Sequence, residues 1–308
     1  MNKFRISWIV IVGIVTVAFL TYKVTDNRKT DSSVPVFSME KKELEISIHD
    51  GEEVLLQGID AVDEKDGDVT DSILVEKISN IYGNGKRIVT YVAFDSDNHV
   101  SEAEREITYT DYTSPRFELT ESLRFRSGST IDIDKIVKVW DCLDGDISSN
   151  VKIQLESSIN NRVTGLYDIV YQVTNSAGDM AELPVQFEIY QPADNEVILN
   201  LTEYLAYYDG SEINYADYLK NIEVGNITYP FEGTSSDEIE DEPEDGESED
   251  DGETDTDDED SEEVDYISRD RVKIQSHVDS TVPGVYPVYF YYEGASYVAT
   301  EVMYVVVE

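Results

Sequence analysis

Apolar and polar residues alternate through most of the chain. Leu44, Ile46 and Ile48 alternate with Glu43, Glu45, Ser47 and His49; Leu183, Val185, Phe187 and Ile189 alternate with Glu182, Pro184, Gln186 and Glu188; Val302, Tyr304 and Val306 continue the pattern near the end. A period of two is that of a strand with one dry and one wet face. No stretch after residue 22 sustains a helical period, so the bulk of the chain is predicted to be all-β. The exception comes first. From Ile6 to Tyr22 there are seventeen residues without a charge, with Lys3 and Arg5 before them and Lys23 after. As a helix they would reach about 26 Å, the low end of a membrane span, with Trp8 and Tyr22 placed for the two interfaces. A cleaved signal peptide is the rival reading. The best small-residue cleavage motif, Thr16-Val17-Ala18, lies inside the apolar run, and no Cys stands nearby to accept a lipid. Residues 6–22 are therefore read as an uncleaved transmembrane anchor after a 1–5 cytoplasmic head, with 23–37 a tether. Basic residues flank the run on both sides, so an exported tail is inferred from the short head and long remainder.

An internal repeat organises that remainder. Asp63-Glu64-Lys65-Asp66-Gly67-Asp68 returns as Asp141-Cys142-Leu143-Asp144-Gly145-Asp146, 78 positions later. Gly85 with Val89, Tyr91 and Ala93 returns as Gly165 with Ile169, Tyr171 and Val173, 80 positions later, each followed by a polar turn, Asp95-Ser96-Asp97-Asn98 or Asn175-Ser176-Ala177-Gly178. A third copy carries Val272-Lys273-Ile274-Gln275 for Val151-Lys152-Ile153-Gln154, and Gly284-Val285-Tyr286 for Gly165-Leu166-Tyr167. A unit of about 80 residues with short strands suits a sandwich that closes its own core. The prediction is three tandem Ig-like antiparallel β-sandwiches, at 38–112, 113–191 and 192–308. The third is lengthened by residues 234–265, which hold 20 acids and no base. Self-repulsion denies such a tract a core, so it is predicted to be a disordered acidic loop, either a plain spacer or a calcium buffer or bait for basic partners.

This order of an acidic Gly-containing loop, a Gly-x-Tyr strand and a polar turn resembles the bacterial Ig-like repeats of Gram-positive surface proteins, a type also found in a pesticidal crystal protein. The likeness is carried by Asp66, Gly67, Asp68, Tyr91 and Asp95 and by Asp144, Gly145, Asp146, Tyr171 and Gly178. Two departures stand out: Asn98 where a Gly is usual, and Glu223-Val224-Gly225-Asn226 in place of the acidic motif. The resemblance implies extracellular sandwich modules in a row and no enzyme activity.

Charge narrows the functions further. With 23 Lys and Arg against 66 Asp and Glu, a net charge of -43 and no basic run, the chain has nothing to neutralise a nucleic-acid backbone. The single Cys142 excludes a disulfide framework. Gly83-Asn84-Gly85-Lys86-Arg87 lacks the spacing of a phosphate loop and reads as a turn. His49 and His99 fall in the first copy and His277 in the third, none in a metal-binding spacing, and no G-x-S-x-G or H-E-x-x-H pattern occurs. Two constellations remain. Asp63, Asp66 and Asp68, and likewise Asp141, Asp144 and Asp146, either cap backbone amides in a tight turn or offer three carboxylates to calcium. Tyr289 and Tyr291 fall on the face opposite Tyr286, Val288, Phe290 and Tyr292, where they would stack on a sugar or a partner protein or simply cover an exposed sheet. The expected protein is a single-pass membrane protein with extracellular C-terminal domains, a non-catalytic stalk or protein-interaction scaffold. The alternatives are an adhesin that binds cell-wall glycan through its terminal domain and an accessory subunit of a membrane or secretion complex.

Overall fold

The computed structural model describes residues 12–23, 32–155, 159–193, 196–233, 266–294 and 298–308. Most of the tether and all of the acidic tract 234–265 lie outside the described residues. Residues 12–23 are helical. Among the described residues no helix is long and apolar enough to cross a membrane. The predicted span 6–22 is unsupported to that extent, and its first six residues lie outside the description.

The rest is β-structure in two compact units, the first running to Thr113 and including Ser176–Asp179, the second comprising Ser114–Asn175 and Met180–Glu308. The first unit holds β1 (Val36–Met39), β2 (Glu43–Ile46), a single helical turn at Glu52–Leu55, β3 (Ile59–Asp63), β4 (Gly67–Asp68), β5 (Leu74–Ile78), β6 (Lys86–Phe94) and β7 (Val100–Tyr109). One sheet has the order β1-β3-β4 and the other β2-β7-β6-β5. They close on Ile59 and Ala61 from the first and Ile46, Val89, Tyr91, Ala93 and Ile107 from the second. The buried Tyr91 hydroxyl donates to the Leu55 carbonyl at 2.8 Å, and the buried Arg105 guanidinium donates to the Gln57 carbonyl at 2.8 Å.

The second unit repeats that plan twice. β8 (Arg116–Leu119), β9 (Arg124–Arg126), β10 (Val137–Asp141), β11 (Gly145–Asp146), β12 (Lys152–Leu155), β13 (Gly165–Thr174) and β14 (Met180–Tyr190) make sheets β11-β10-β8 and β12-β13-β14-β9. β15 (Val197–Leu201), β16 (Leu205–Tyr207), β17 (Leu219–Val224), β18 (Ile227–Pro230), β19 (Val272–Ser276), β20 (Gly284–Glu293) and β21 (Val298–Val307) make sheets β15-β17-β18 and β16-β21-β20-β19. Seven-stranded two-sheet sandwiches of Ig-like form are thus present. They are not purely antiparallel as the sequence suggested. In each copy the second strand pairs parallel with the last, β2 with β7, β9 with β14 and β16 with β21. A parallel pair needs a long crossover, here supplied by the strands of the intervening sheets.

The turn glycines explain both departures in the repeat. Gly67, Gly145 and Gly225 have φ of 77°, 74° and 63°, so the third copy keeps the left-handed glycine after losing the acids around it. Asn98 stands at φ 66°, the conformation Gly178 adopts at 79°. Asn is the residue type that tolerates it best after glycine.

The predicted strand pattern holds at β14, where Leu183, Val185, Phe187 and Ile189 are all buried. At β21 the phase differs. Ala299, Glu301, Met303, Val305 and Val307 face inward, yet Tyr304 on the other face is buried too. The reason is that the second and third copies share one continuous core. β9 covers β14 only at Glu188–Tyr190, leaving the edge at Gln186 open, and the Tyr304 hydroxyl fills it. That hydroxyl accepts from the Gln186 amide at 2.9 Å and donates to the Gln186 carbonyl at 2.7 Å. On edge strand β8, the Phe117 amide donates to the Tyr207 hydroxyl at 2.8 Å. Glu301 lies in the same junction, 3% exposed. Its carboxylate accepts from the Ser122 hydroxyl at 2.9 Å and from the Val302 amide at 2.8 Å. Burial nevertheless dominates and pushes the Glu301 carboxyl up to about 7.

Two outcomes are expected from urea denaturation of the full chain. Tyr304→Phe strands both polar groups of Gln186 and lowers the stability of the second unit by about 2 kcal/mol, leaving the first unit unchanged. Glu301 binds its proton more tightly folded than unfolded, so its contribution is present below the ordinary glutamate range and is lost as pH rises through about 7. The second unit should therefore weaken by about 3 kcal/mol between acid and mildly alkaline pH, and Glu301→Gln should flatten that slope.

Candidate functional site

Period-2 alternation carries Asp63 to the inward face of β3 after Ile59 and Ala61, so the strand ends with a carboxylate at the rim of the core. Asp63 is only 2% exposed. The chain turns at Gly67, and one Asp63 oxygen accepts the backbone N–H groups of Lys65 at 2.8 Å and Asp66 at 3.0 Å, while the other accepts the Ser33 hydroxyl at 2.8 Å. The Asp66 amide, chiefly, holds the Asp63 carboxyl below its ordinary value against the opposing effect of burial. Asp66 itself is exposed and reaches the turn after β6, accepting from the Ser96 amide at 2.8 Å and the Ser96 hydroxyl at 2.9 Å. That turn opens with Asp95, 8% exposed. Its carboxylate accepts the Asp97 and His99 amides at 2.8 and 2.7 Å and meets the His99 ring at 2.6 Å. Burial raises the Asp95 carboxyl, but the hydrogen bonds from His99 and Asp97 outweigh it and leave it lowered.

One oxygen each from Asp63, Asp66 and Asp95 lies within 4.8 Å of the others. The structure brings together two of the residues singled out in the first copy and adds Asp95. Asp68 stands apart, accepting the Thr70 amide at 3.0 Å. Asp95 was visible as the first residue of a polar turn, but its approach to Asp63 depends on how β6 crosses the facing sheet. Three oxygens so disposed can serve a hard divalent cation, with carbonyls and water completing the shell. They can also do what the hydrogen bonds show, which is to pin one loop to another.

The second copy pairs its groups differently. Asp141, 1% exposed, accepts the Leu143 and Asp144 amides at 2.9 Å each, but its second oxygen accepts the Asn175 side-chain amide at 3.0 Å. Asn175 occupies the place of Asp95, so a donor faces Asp141 where a second carboxylate approaches Asp63. Asp146 accepts the Ser148 hydroxyl at 2.6 Å and amide at 2.9 Å, which hold its carboxyl low. Among the described residues Asp141, Asp144 and Asp146 do not converge on a common point.

Tyr289 and Tyr291 lie half-buried on the outer face of β20, their rings stacked with centroids 6.3 Å apart and planes 25° from parallel. Val288, Phe290 and Tyr292 face the core, as the alternation requires, and Tyr286 is half-buried with its hydroxyl on the Val282 carbonyl at 2.9 Å.

No family model matches the chain. Over 127 residues it is 31% identical to the pesticidal crystal protein Cry22Aa of Bacillus thuringiensis, a match covering 40% of this chain and 17% of that protein. The chain thus spans about a sixth of that relative's length. Among solved structures, the CBM51-2 and INT domains of Clostridium perfringens ZmpB in complex with GlcNAc align with 53% of this chain and 30% of theirs, at 17% identity and a TM-score of 0.21. Drosophila N-cadherin EC1-4 aligns with 90% of this chain and 75% of its own, at 10% identity and a TM-score of 0.23. Likenesses that slight carry no functional argument.

Because the folded first unit holds Asp63 and Asp95 below their ordinary 3.8, its stability is full above that value and falls as pH drops through it. Asp95→Asn recreates the chemistry of Asp141 and Asn175. We expect it to fold and to lose part of that acid sensitivity, measured as the pH dependence of the first unit's urea midpoint.

Proposed function

We propose that this protein is a non-catalytic interaction scaffold displayed on a cell surface, its repeats of the bacterial surface Ig-like type, held by the apolar segment 6–22 with the sandwiches outside. The observation that supports this reading best is the continuous core of the second unit, in which two successive sandwiches are joined by Tyr304, Tyr207 and Ser122. A joint with its own buried side chains resists bending, which suits a module that must hold a surface at a set distance. The polar clusters of the first and second copies are spent on turn amides, an arrangement suited to rigidity. Protease added to intact cells should cut the chain after residue 37 and leave the anchor segment in the membrane fraction. Protection of the whole chain until the cells are lysed would reject the placement.

Calcium belongs to this reading as a stiffener of the first unit, with Asp63, Asp66 and Asp95 as ligands. Millimolar calcium should raise the melting temperature of the first unit, and Asp66→Ala should abolish the rise while Asp144→Ala leaves it intact. An unchanged melting curve in the wild-type protein would remove calcium from the account.

A second reading, an adhesin contacting a wall glycan or partner protein through the terminal copy, is favoured by the stacked Tyr289 and Tyr291 rings.

A further inference from the structure

A cavity of about 410 Å³ opens at the joint between the second and third copies, within the second unit. Its walls come from edge strand β9, from Tyr190 at the end of β14, from Glu196 and edge strand β15, and from Val298–Glu301 of β21. A smaller hollow of about 60 Å³, lined by Leu166, Glu188, Tyr289 and Val302 among others, shares Arg124, Thr300 and Glu301 with it. Arg124 divides the two. Its Nε donates to Glu188 at 2.7 Å, its guanidinium also contacts the Thr300 carbonyl, and its Cζ lies over the Tyr190 ring, 4.8 Å from the centre. Tyr190 donates to Glu196, which also pairs with the Arg126 Nε at 2.8 Å.

We propose that this divided cleft binds a short stretch of a neutral oligosaccharide, with the large cavity taking one or two sugar rings and the hollow beside Tyr289 the next. The inference rests on the adhesin reading above and moves its contact surface from the outer tyrosine pair to the joint. Three properties select the ligand class. The cavity's volume lies in the range of small-molecule sites. Arg124 pairs with Glu188 and Arg126 with Glu196, so an anion gains no unopposed cation, and the remaining acid, Glu301, is 3% exposed and already engaged by the Ser122 hydroxyl and the Val302 amide. Its polar groups nevertheless keep hydrogen-bonding capacity: Arg126 commits its Nε to Glu196 while its side chain stays 51% exposed, and a guanidinium carries five N–H donors against the carboxylate's several lone pairs. Donors beside acceptors, interleaved with Val298, Ala299 and Leu166, match the hydroxyls and C–H faces of a sugar ring better than they match a lipid or a phosphate.

The test uses the full chain and isothermal titration with chitotetraose, cellotetraose and maltotetraose, with tetragalacturonate as the anionic comparison. We expect at least one neutral tetramer to bind with Kd of about 1 mM or tighter, and Arg126→Ala and Tyr289→Ala each to weaken it by about tenfold or more. Arg126→Lys keeps the pairing with Glu196 but loses the planar fork, so it should retain the wild-type melting curve without restoring affinity. No binding by any neutral tetramer, tighter binding of tetragalacturonate, or affinity unchanged in Arg126→Ala would overturn the site. The adhesin reading also allows a partner protein on the outer Tyr289 and Tyr291 face, so failure of the titration removes the cleft without removing that reading, and the protease result on intact cells stands apart from both.

Discussion

The open edge of β14 at Gln186 needs both a donor and an acceptor, and Tyr304 from β21 supplies both through one hydroxyl. That single group requires β21 to lie against the neighbouring sandwich, which in turn buries its outer face. Once two sandwiches share a strand face in this way, the second and third copies cease to be independent beads. The same joint forces a carboxyl, Glu301, out of water and closes the cleft walled by Arg124 and Tyr190. Rigidity, the displaced glutamate and the cleft are three consequences of one contact. A rigid joint is useful to a surface scaffold, and a joint with a balanced polar lining is useful to one that holds a glycan.

The buried aspartates show how an internal repeat acts as its own control. Asp63 and Asp141 perform the same structural task, receiving two amide N–H groups from the turn that follows them. What faces them separates the copies. Asn175 satisfies Asp141 with a donor, whereas Asp95 brings a further carboxylate toward Asp63 and is itself held by His99. The third copy discards both acids and keeps only the left-handed glycine, Gly225. The turn's backbone geometry is the common requirement, and the charge around it is free to be used or dropped.

Much of this was legible beforehand. The repeat at 78 to 80 positions places the matching turns correctly, and alternation identifies the inward residues of β14 and β20 because a strand buried on one face must alternate. The parallel pairing of β9 with β14 was not legible, since β9 has only three residues and no periodicity can register in so few. The face of β21 was misread for a different reason. Tyr304 and Val306 alternate like a core face, but the deeper set is Met303, Val305 and Val307. A strand covered on both sides is apolar on both, and alternation then has nothing to report. Asp95 in turn was noticed only as turn chemistry.

The sequence by itself therefore determined the class of structure, its repeat length, the left-handed turn positions and the acidic character, because each of these depends on residues close together in the chain. Tertiary structure alone decided which carboxylates meet, which copies fuse and where a cleft opens. Those outcomes depend on the packing of one sheet's face or edge against another, and residues such as Ser122 and Glu301, or Asp63 and Asp95, carry no mark in one dimension of the neighbour they will find in three.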